Sequence, residues 1–362
     1  MNQLEARLHY SLGDKLPSTA EALEVAPGVK WVRMALPFAL NHINLWLLRD
    51  RLDVNGVMTD GWTIVDCCID APSSRKQWLH LFDTALDGLP VLRVLVTHMH
   101  PDHVGLAHWL VEHWSTPAYS CPLWMSSLDF SMAHIGSAGG TGFGGNDAAD
   151  FFAAHGLNNP DDVGKVRARQ NYYGSLVPKV PKAHTRLLDG MNVRIGERNW
   201  RCIVGYGHAP EHIALYCDDL DVLISGDMML PRISTNISVY ASEPEGNPLQ
   251  LFLDSLERMR ALPDTVRILP SHGKPFVGLH ERITQLVDHH RDRLAEVLQA
   301  CAEQPMTAAS ALQVLFKREL DLHQTTFAMG ESVAHLHKLW FDGLVRRYQQ
   351  DGVWHWAALP NG

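Results

Sequence analysis

The 362-residue chain has no CxxC pair, no block of like charge, no excess of positive charge and no long uninterrupted apolar run. Each absence removes a class of protein. The six cysteines, Cys67, Cys68, Cys121, Cys202, Cys217 and Cys301, are too scattered for a zinc ribbon or a dithiol motif. In a chain of this length they are read as buried, reduced thiols rather than a disulfide framework. A formal net charge of −9 argues against nucleic acid as the main ligand, because that partner leaves a basic footprint. The opening "MNQLEARLHYSLGDKLP" carries charges where a signal peptide needs an apolar core. The apolar stretch "WVRMALPFALNHINLWLL" is broken by Arg33, Asn41, His42 and Asn44. The expectation is a soluble, cytoplasmic protein with no membrane partner.

What is present is a full complement of core residues, 46% hydrophobic, arranged in alternating patterns. "INLWLL", "WTIVDCCI", "VLRVLVT", "RCIVGY", "HIALYC", "DVLISGD" and "VRILPSHG" have strand length and nearby turn signals. "GLAHWLVEHW", "LQLFLDSLERMRAL" and "ERITQLVDHHRDRLAEVLQACAE" have helical spacing. Strands interleaved with helices imply an α/β architecture with sheets covered on their outer faces. The Gly-rich segment Ala133 to Asn146 reads as a mobile loop without regular structure, opening an inserted, partly helical cap that extends to about Lys182. After residue 300 the pattern changes to helix, helix and a hairpin turning at Asp351-Gly352. This predicts a catalytic domain over 1–300 and a small winged-helix-like domain over 301–362. Within the tail, five Lys and Arg stand against six Asp and Glu, so it is read as closing a pocket or forming a homodimer contact rather than gripping phosphates.

The chemistry concentrates in "THMHPDHVG", where His98, His100, Asp102 and His103 follow an apolar strand directly. His208 after "RCIVGY", Asp227 after "DVLISG" and His272 after "VRILPS" occupy equivalent positions. A ligand at a strand's end is held by a rigid element, which metal geometry requires. Five imidazoles and two carboxylates are too many for one tetrahedral ion and suit two divalent ions, with Zn2+ favoured and Mn2+ or Fe2+ as alternatives. Two ions about 3.5 to 4 Å apart can share a hydroxide that is nucleophilic at neutral pH. The predicted reaction is hydrolysis of an electrophilic carbonyl or phosphoryl group.

"THMHPDHVG", "GHAPEH", "SGD" and "SHG" resemble, in order, the motifs of the metallo-beta-lactamase superfamily. The resemblance implies an αββα sandwich with the site at one edge of its two sheets. It also implies that His98, His100 and His208 bind one ion, that Asp102, His103 and His272 bind the second, and that Asp227 bridges them. Asp66 and His212 match supporting residues. Cys67-Cys68 replaces the family's usual Thr-Gly, and Glu211 stands where glycine is common. A glutamate takes the place of His100 in the oxygen-reducing diiron branch, so the retained histidine points to hydrolysis. An aspartate at 227, together with the Asp102-His103 dyad, argues against antibiotic hydrolysis and resembles the glyoxalase II, lactonase, thioesterase and nuclease branches.

The first reading is therefore a dinuclear hydrolase of a small-molecule acyl-thioester or lactone, with Asp102 as proton shuttle. An endoribonuclease and an iron-dependent persulfide dioxygenase stand as alternatives. Substrate contacts are expected from Arg232, Asn236 and Tyr240 after Asp227, and from Tyr172 and Tyr173 in the cap. His289 and His290 read as solvated helix residues. His323, His335 and His337 belong to the tail, and His42, just before the first long strand, is read as structural, with an approach to the site as the alternative.

Overall fold

The apolar runs form two sheets in a computed structural model that describes residues 4–140 and 144–360, the side chains of Leu322 and His323 excepted. The first sheet holds β1 (Ala22–Ala26), β2 (Val29–Ala35), β3 (His42–Val54), β4 (Val57–Val65), β5 (Val91–Leu95), β6 (Leu123–Met125) and β7 (Thr185–Arg186), side by side in that order. The second holds β8 (Asn192–Ile195), β9 (Arg198–Gly205), β10 (His212–Cys217), β11 (Val222–Gly226) and β12 (Arg267–Pro270). A terminal hairpin pairs β13 (Val345–Gln350) with β14 (Val353–Ala358). Asp351 and Gly352 take φ values of 50° and 79° at its turn, the left-handed pair that a two-residue hairpin demands.

Eleven helices are described: α1 (Pro72–Thr84), α2 (Pro101–Val104), α3 (Ala107–Trp114), α4 (Ser127–Ser137), α5 (Gly145–Ala154), α6 (Pro160–Ala168), α7 (Tyr172–Leu176), α8 (Pro248–Met259), α9 (Leu279–Glu303), α10 (Ala308–Leu315) and α11 (Leu322–Phe341). Strand alternation explains their layering. In β3, Ile43, Leu45 and Leu47 point toward α1, α3 and α4, while Trp46 and Leu48 point at the other sheet. In β10, Ile213 and Leu215 face the first sheet, and Ala214 and Tyr216 face α8 and α9. The result is the expected αββα order, with an inter-sheet core in which Trp31 and Trp46 stack at 6.2 Å, a pair worth about 0.5–1.5 kcal/mol beyond its buried area.

Two expectations fail here. Ala133 is not in a loop: Ser126 caps α4 by accepting from the Asp129 amide, and the helix runs on through buried Ala133 and Gly136 to Ser137. Regular structure resumes at Gly145, and residues 141–143 lie outside the described residues. His289 is exposed as expected, but His290 is fully buried, its ring 5.9 Å from Phe252 and its Nδ1 3.4 Å from His335 Nε2. The polar-looking helix α9 is covered on that face by α8 and α11, joined in one apolar cluster with α5, α6, α10 and the hairpin.

Candidate metal centre

Parallel pairing of β4 with β5 and of β11 with β12 sends their carboxyl ends to one edge of the sandwich. β5 delivers His98 and His100; Pro101 then starts α2, which carries Asp102 and His103. His208 lies in the β9–β10 turn, Asp227 directly follows β11, and His272 follows β12. The sheets are stitched at this edge. Ile213 N donates to Thr97 O at 2.8 Å, Asn44 N to Ser271 O at 2.7 Å, and Asn44 Nδ2 to Pro270 O at 2.8 Å.

All seven expected residues converge. His98 Nε2 and His100 Nδ1 lie 2.9 Å apart, His100 Nδ1 and His208 Nε2 3.0 Å, and His208 Nε2 and His98 Nε2 3.3 Å. Three nitrogens around one tetrahedral ion at about 2.0–2.1 Å would be separated by about 3.3 Å. A second group joins Asp102, His103 and His272, with His272 Nε2 3.4 Å and His103 Nε2 3.8 Å from Asp102 Oδ2. Asp227 stands between the groups: its Oδ2 is 3.4 Å from His208 Nε2, and its Oδ1 is 3.5 Å from both His103 Nε2 and His272 Nε2.

The rear nitrogens reveal which way the lone pairs point. His208 Nδ1 donates to Asn236 O at 2.8 Å and His272 Nδ1 to His42 O at 2.7 Å. A carbonyl only accepts, so both Nε2 atoms present lone pairs to the centre. His103 Nδ1 lies 2.8 Å from Asp66 Oδ2, which fixes that ring the same way. His103 Nε2 and Asp227 Oδ1 are buried with no hydrogen-bond partner. Without an ion the two atoms can share only a proton across 3.5 Å, too far for a good hydrogen bond, whereas a cation between them would satisfy both. The donor set thus fits divalent metal.

Charge follows the same logic. Burial, reinforced by neighbouring imidazoles, pushes His98 well below the ordinary range; burial also brings His100 to about 3. Burial opposes protonation of His103 too, yet Asp66, Asp102 and Asp227 outweigh it and raise that ring to about 10. Burial would raise Asp102, but His103 and His272 hold it at about 2. A bound cation would displace the proton these carboxylates hold on His103.

The supporting residues act through the backbone as well as through side chains. Asp66 also accepts from Thr97 N at 2.8 Å and Thr97 Oγ1 at 2.9 Å. His212 Nε2 accepts the Asp227 amide at 3.1 Å. Gly226, at φ 54°, has no room for a side chain, since a Cβ would sit 2.2 Å from that ring nitrogen. The Cys67-Cys68 turn keeps a left-handed residue on each side of Cys67, Asp66 at φ 65° and Cys68 at φ 69°, and Cys67 N still donates to His103 O at 2.8 Å. All six cysteines are buried and unpaired.

Substrate expectations fare unevenly. Asn236, Tyr172 and Tyr173 line a cavity of about 390 Å3 over Asp102, Asp227 and His272, although Tyr173 is itself buried and donates to Met99 O. Tyr240 lines a second cavity of about 600 Å3 beside His100 and His208. Arg232 is a correction. Arg282 grips the turn from beneath, donating to Leu230 O and Ile233 O, and Arg232 points outward to Glu5 at 3.3 Å. His42 is structural, as expected, and also approaches the site: its Nε2 accepts from Gly273 N at 2.8 Å and its carbonyl orients His272. Asp129 was missed: it accepts the Met99 and Glu211 amides at 2.8 and 2.6 Å, fixing the backbone beside His100 and His212. Its position three residues after Ser126 was the available signal, a capping pattern.

Comparison with known proteins agrees with this geometry. Residues 56–272 match the family model described as "Metallo-beta-lactamase superfamily", and residues 294–359 match "Metallo-beta-lactamase-like, C-terminal domain". A beta-lactamase domain protein from Burkholderia ambifaria is 50% identical, with a TM-score of 0.92 over 99% of this chain and 100% of that one. A metallo-beta-lactamase family protein from Thermus thermophilus is 28% identical, with a TM-score of 0.72 over 93% of this chain and 100% of that one. The "Probable metallo-hydrolase YqjP" of Bacillus subtilis is 24% identical over 343 residues, 91% of this chain and 97% of its own. Motif order, sheet topology and the matched family model lead to one assignment: the chain belongs to the metallo-beta-lactamase superfamily.

Proposed function

We propose that this protein is a dinuclear metal hydrolase that cleaves a thioester or lactone, with His98, His100 and His208 holding one divalent ion, Asp102, His103 and His272 the other, and Asp227 both. The observation that carries the reading is the buried pair His103 Nε2 and Asp227 Oδ1, which face one another at 3.5 Å with no hydrogen-bond partner. When bound, such ions lower the pKa of water to about 7 and polarise a carbonyl; zinc suits the imidazole-rich set. The hydrolase reading agrees with the name of the Bacillus subtilis relative.

The residues themselves supply position and proton transfer. Asp66, His42 and Asn236 lock the rear of three histidine rings, so the donors are held before any ligand arrives. Asp102 lines the smaller cavity and sits 3.4 Å from His272 Nε2, placed to pass a proton from the attacking water to the departing group. Water adds to the carbonyl carbon, the C–S or ester C–O bond breaks, and the proton goes to the leaving sulfur or oxygen. Apolar walls around both cavities favour a small acyl substrate over RNA, since the lining offers Arg318 as its one arginine or lysine among the described residues.

Elemental analysis followed by a panel of acyl-CoA, acyl-glutathione, lactone and RNA substrates tests this. Two ions per chain with thioester or lactone turnover supports it. Salt-sensitive, metal-dependent RNA cleavage would favour the nuclease reading, and iron alone with oxygen uptake on a persulfide would favour the dioxygenase.

A further inference from the structure

His100 and His208 border both cavities, so the metal centre lies where the two meet. The smaller chamber, about 390 Å3, is lined by Phe316, Leu320, Phe327 and Ala328 from the C-terminal helices and the segment between them, a stretch that also brings Arg318, Gln324 and Glu331 to the lining. The larger, about 600 Å3, is built from Met99, Leu128, Met132 and Leu251, with hydroxyl and amide groups from Tyr206, Tyr240, Ser242 and Asn247. Chambers of this size enclose a small organic ligand. Three of the chain's exposed large apolar side chains stand at them: Ile233, 46% exposed, at the smaller, and Leu128 and Leu251, 52% and 46% exposed, at the larger. Apolar side chains gathered around a cavity mark a site for an apolar ligand.

The partition between the chambers is a fixed structure. The segment from Thr235 to Tyr240 passes from one to the other and is tied to α11, Val239 N donating to Gly330 O at 3.1 Å and Asn236 Nδ2 to Glu331 Oε2 at 3.2 Å. Gly330 permits the approach, because a Cβ there would lie 2.7 Å from Ser238 Cβ. The same segment presents the carbonyl that orients His208.

We propose that the substrate is a two-armed acyl thioester: its acyl chain lies in the chamber lined by the C-terminal helices, and its amide-bearing thiol arm lies in the larger chamber, with the reacting carbonyl between them at the metal centre. This rests on the hydrolase reading above. The C-terminal helices then set acyl-chain selectivity, and the Leu128–Leu251 chamber sets selectivity for the leaving thiol.

Two variants at half-exposed positions, Ile233→Trp and Leu251→Trp, narrow one chamber each without refilling the core. Two substrate series separate their effects: acyl-CoA esters of increasing chain length, and one acyl group carried on CoA or on N-acetylcysteamine. Ile233→Trp should lower the ratio of long-chain to short-chain kcat/KM by about tenfold while the thiol ratio holds; Leu251→Trp should do the reverse, each shift being the size expected from a few methylenes in an apolar pocket. Ratios that move together in both variants, or in neither, overturn the two-chamber assignment. Calorimetry with straight-chain carboxylic acids reads the acyl chamber without turnover. Affinity that rises with chain length and is blunted by Ile233→Trp supports the acyl assignment even if no thioester is cleaved, an outcome that would defeat the hydrolase reading alone. Affinity independent of chain length overturns the acyl assignment.

Discussion

The metal edge and the chamber walls meet at the same histidines but are built on different supports. Each donor at the edge follows a buried strand or sits on the short helix after one, and three rings are locked from behind by Asp66, Asn236 and His42. The walls are half-exposed side chains from widely separated stretches, among them Leu128, Ile233, Leu251 and Phe316. Rigid support suits groups that must hold lone pairs within a fraction of an ångström, while walls need only exclude water and shape a volume. Chemistry and selectivity should therefore be separable by mutation.

Removing an edge carboxylate should have the largest effect. Asp102→Ala is expected to lower kcat by about 10²- to 10⁴-fold, the usual contribution of a positioned proton-transfer group, with circular dichroism showing the fold retained. One step back, Asp66→Asn keeps the shape but weakens the anchor of His103. Metal affinity or activity should fall by about 10- to 100-fold, read by chelator competition; an unchanged affinity would mean that the rear contacts do not matter.

The wall between the chambers should respond in stability rather than in metal content. Gly330→Ala forces a Cβ against Ser238 and should cost about 1–3 kcal/mol in denaturant unfolding. The smallest effect is a pH slope. Burial raises the Glu331 carboxyl from 4.5 to about 7, against the Asn236 hydrogen bond that lowers it. A raised carboxyl makes the native state bind the proton more tightly, so its contribution is full below pH 4.5 and is lost as pH rises toward about 7. Glu331→Gln should flatten that part of the stability profile; an unaltered slope would place its source elsewhere.

The same division explains what could be read without coordinates. "THMHPDHVG" is legible because four donors lie within six residues behind one strand, and His208, Asp227 and His272 repeat that placement. The walls are legible only in part: Tyr172, Tyr173, Asn236 and Tyr240 stand in the cap or close in sequence to Asp227, but nothing local says that Phe316 and Leu128 face the same two histidines. The direction of Arg232 is not legible either, because the outward turn of its segment depends on Arg282, fifty residues later in the chain. His42 and His290 look alike as isolated histidines; one orients a metal-site ring through its carbonyl and the other fills the space beneath α11. Only packing distinguishes them.

The most direct test of the central claim is the metal content per chain of the purified protein and of Asp227→Ala, measured beside hydrolysis. Two ions in the native chain, with loss of most metal and activity in the variant, is the predicted result. A variant that keeps two ions and full hydrolysis would contradict the bridging role of Asp227 and the two-ion centre with it.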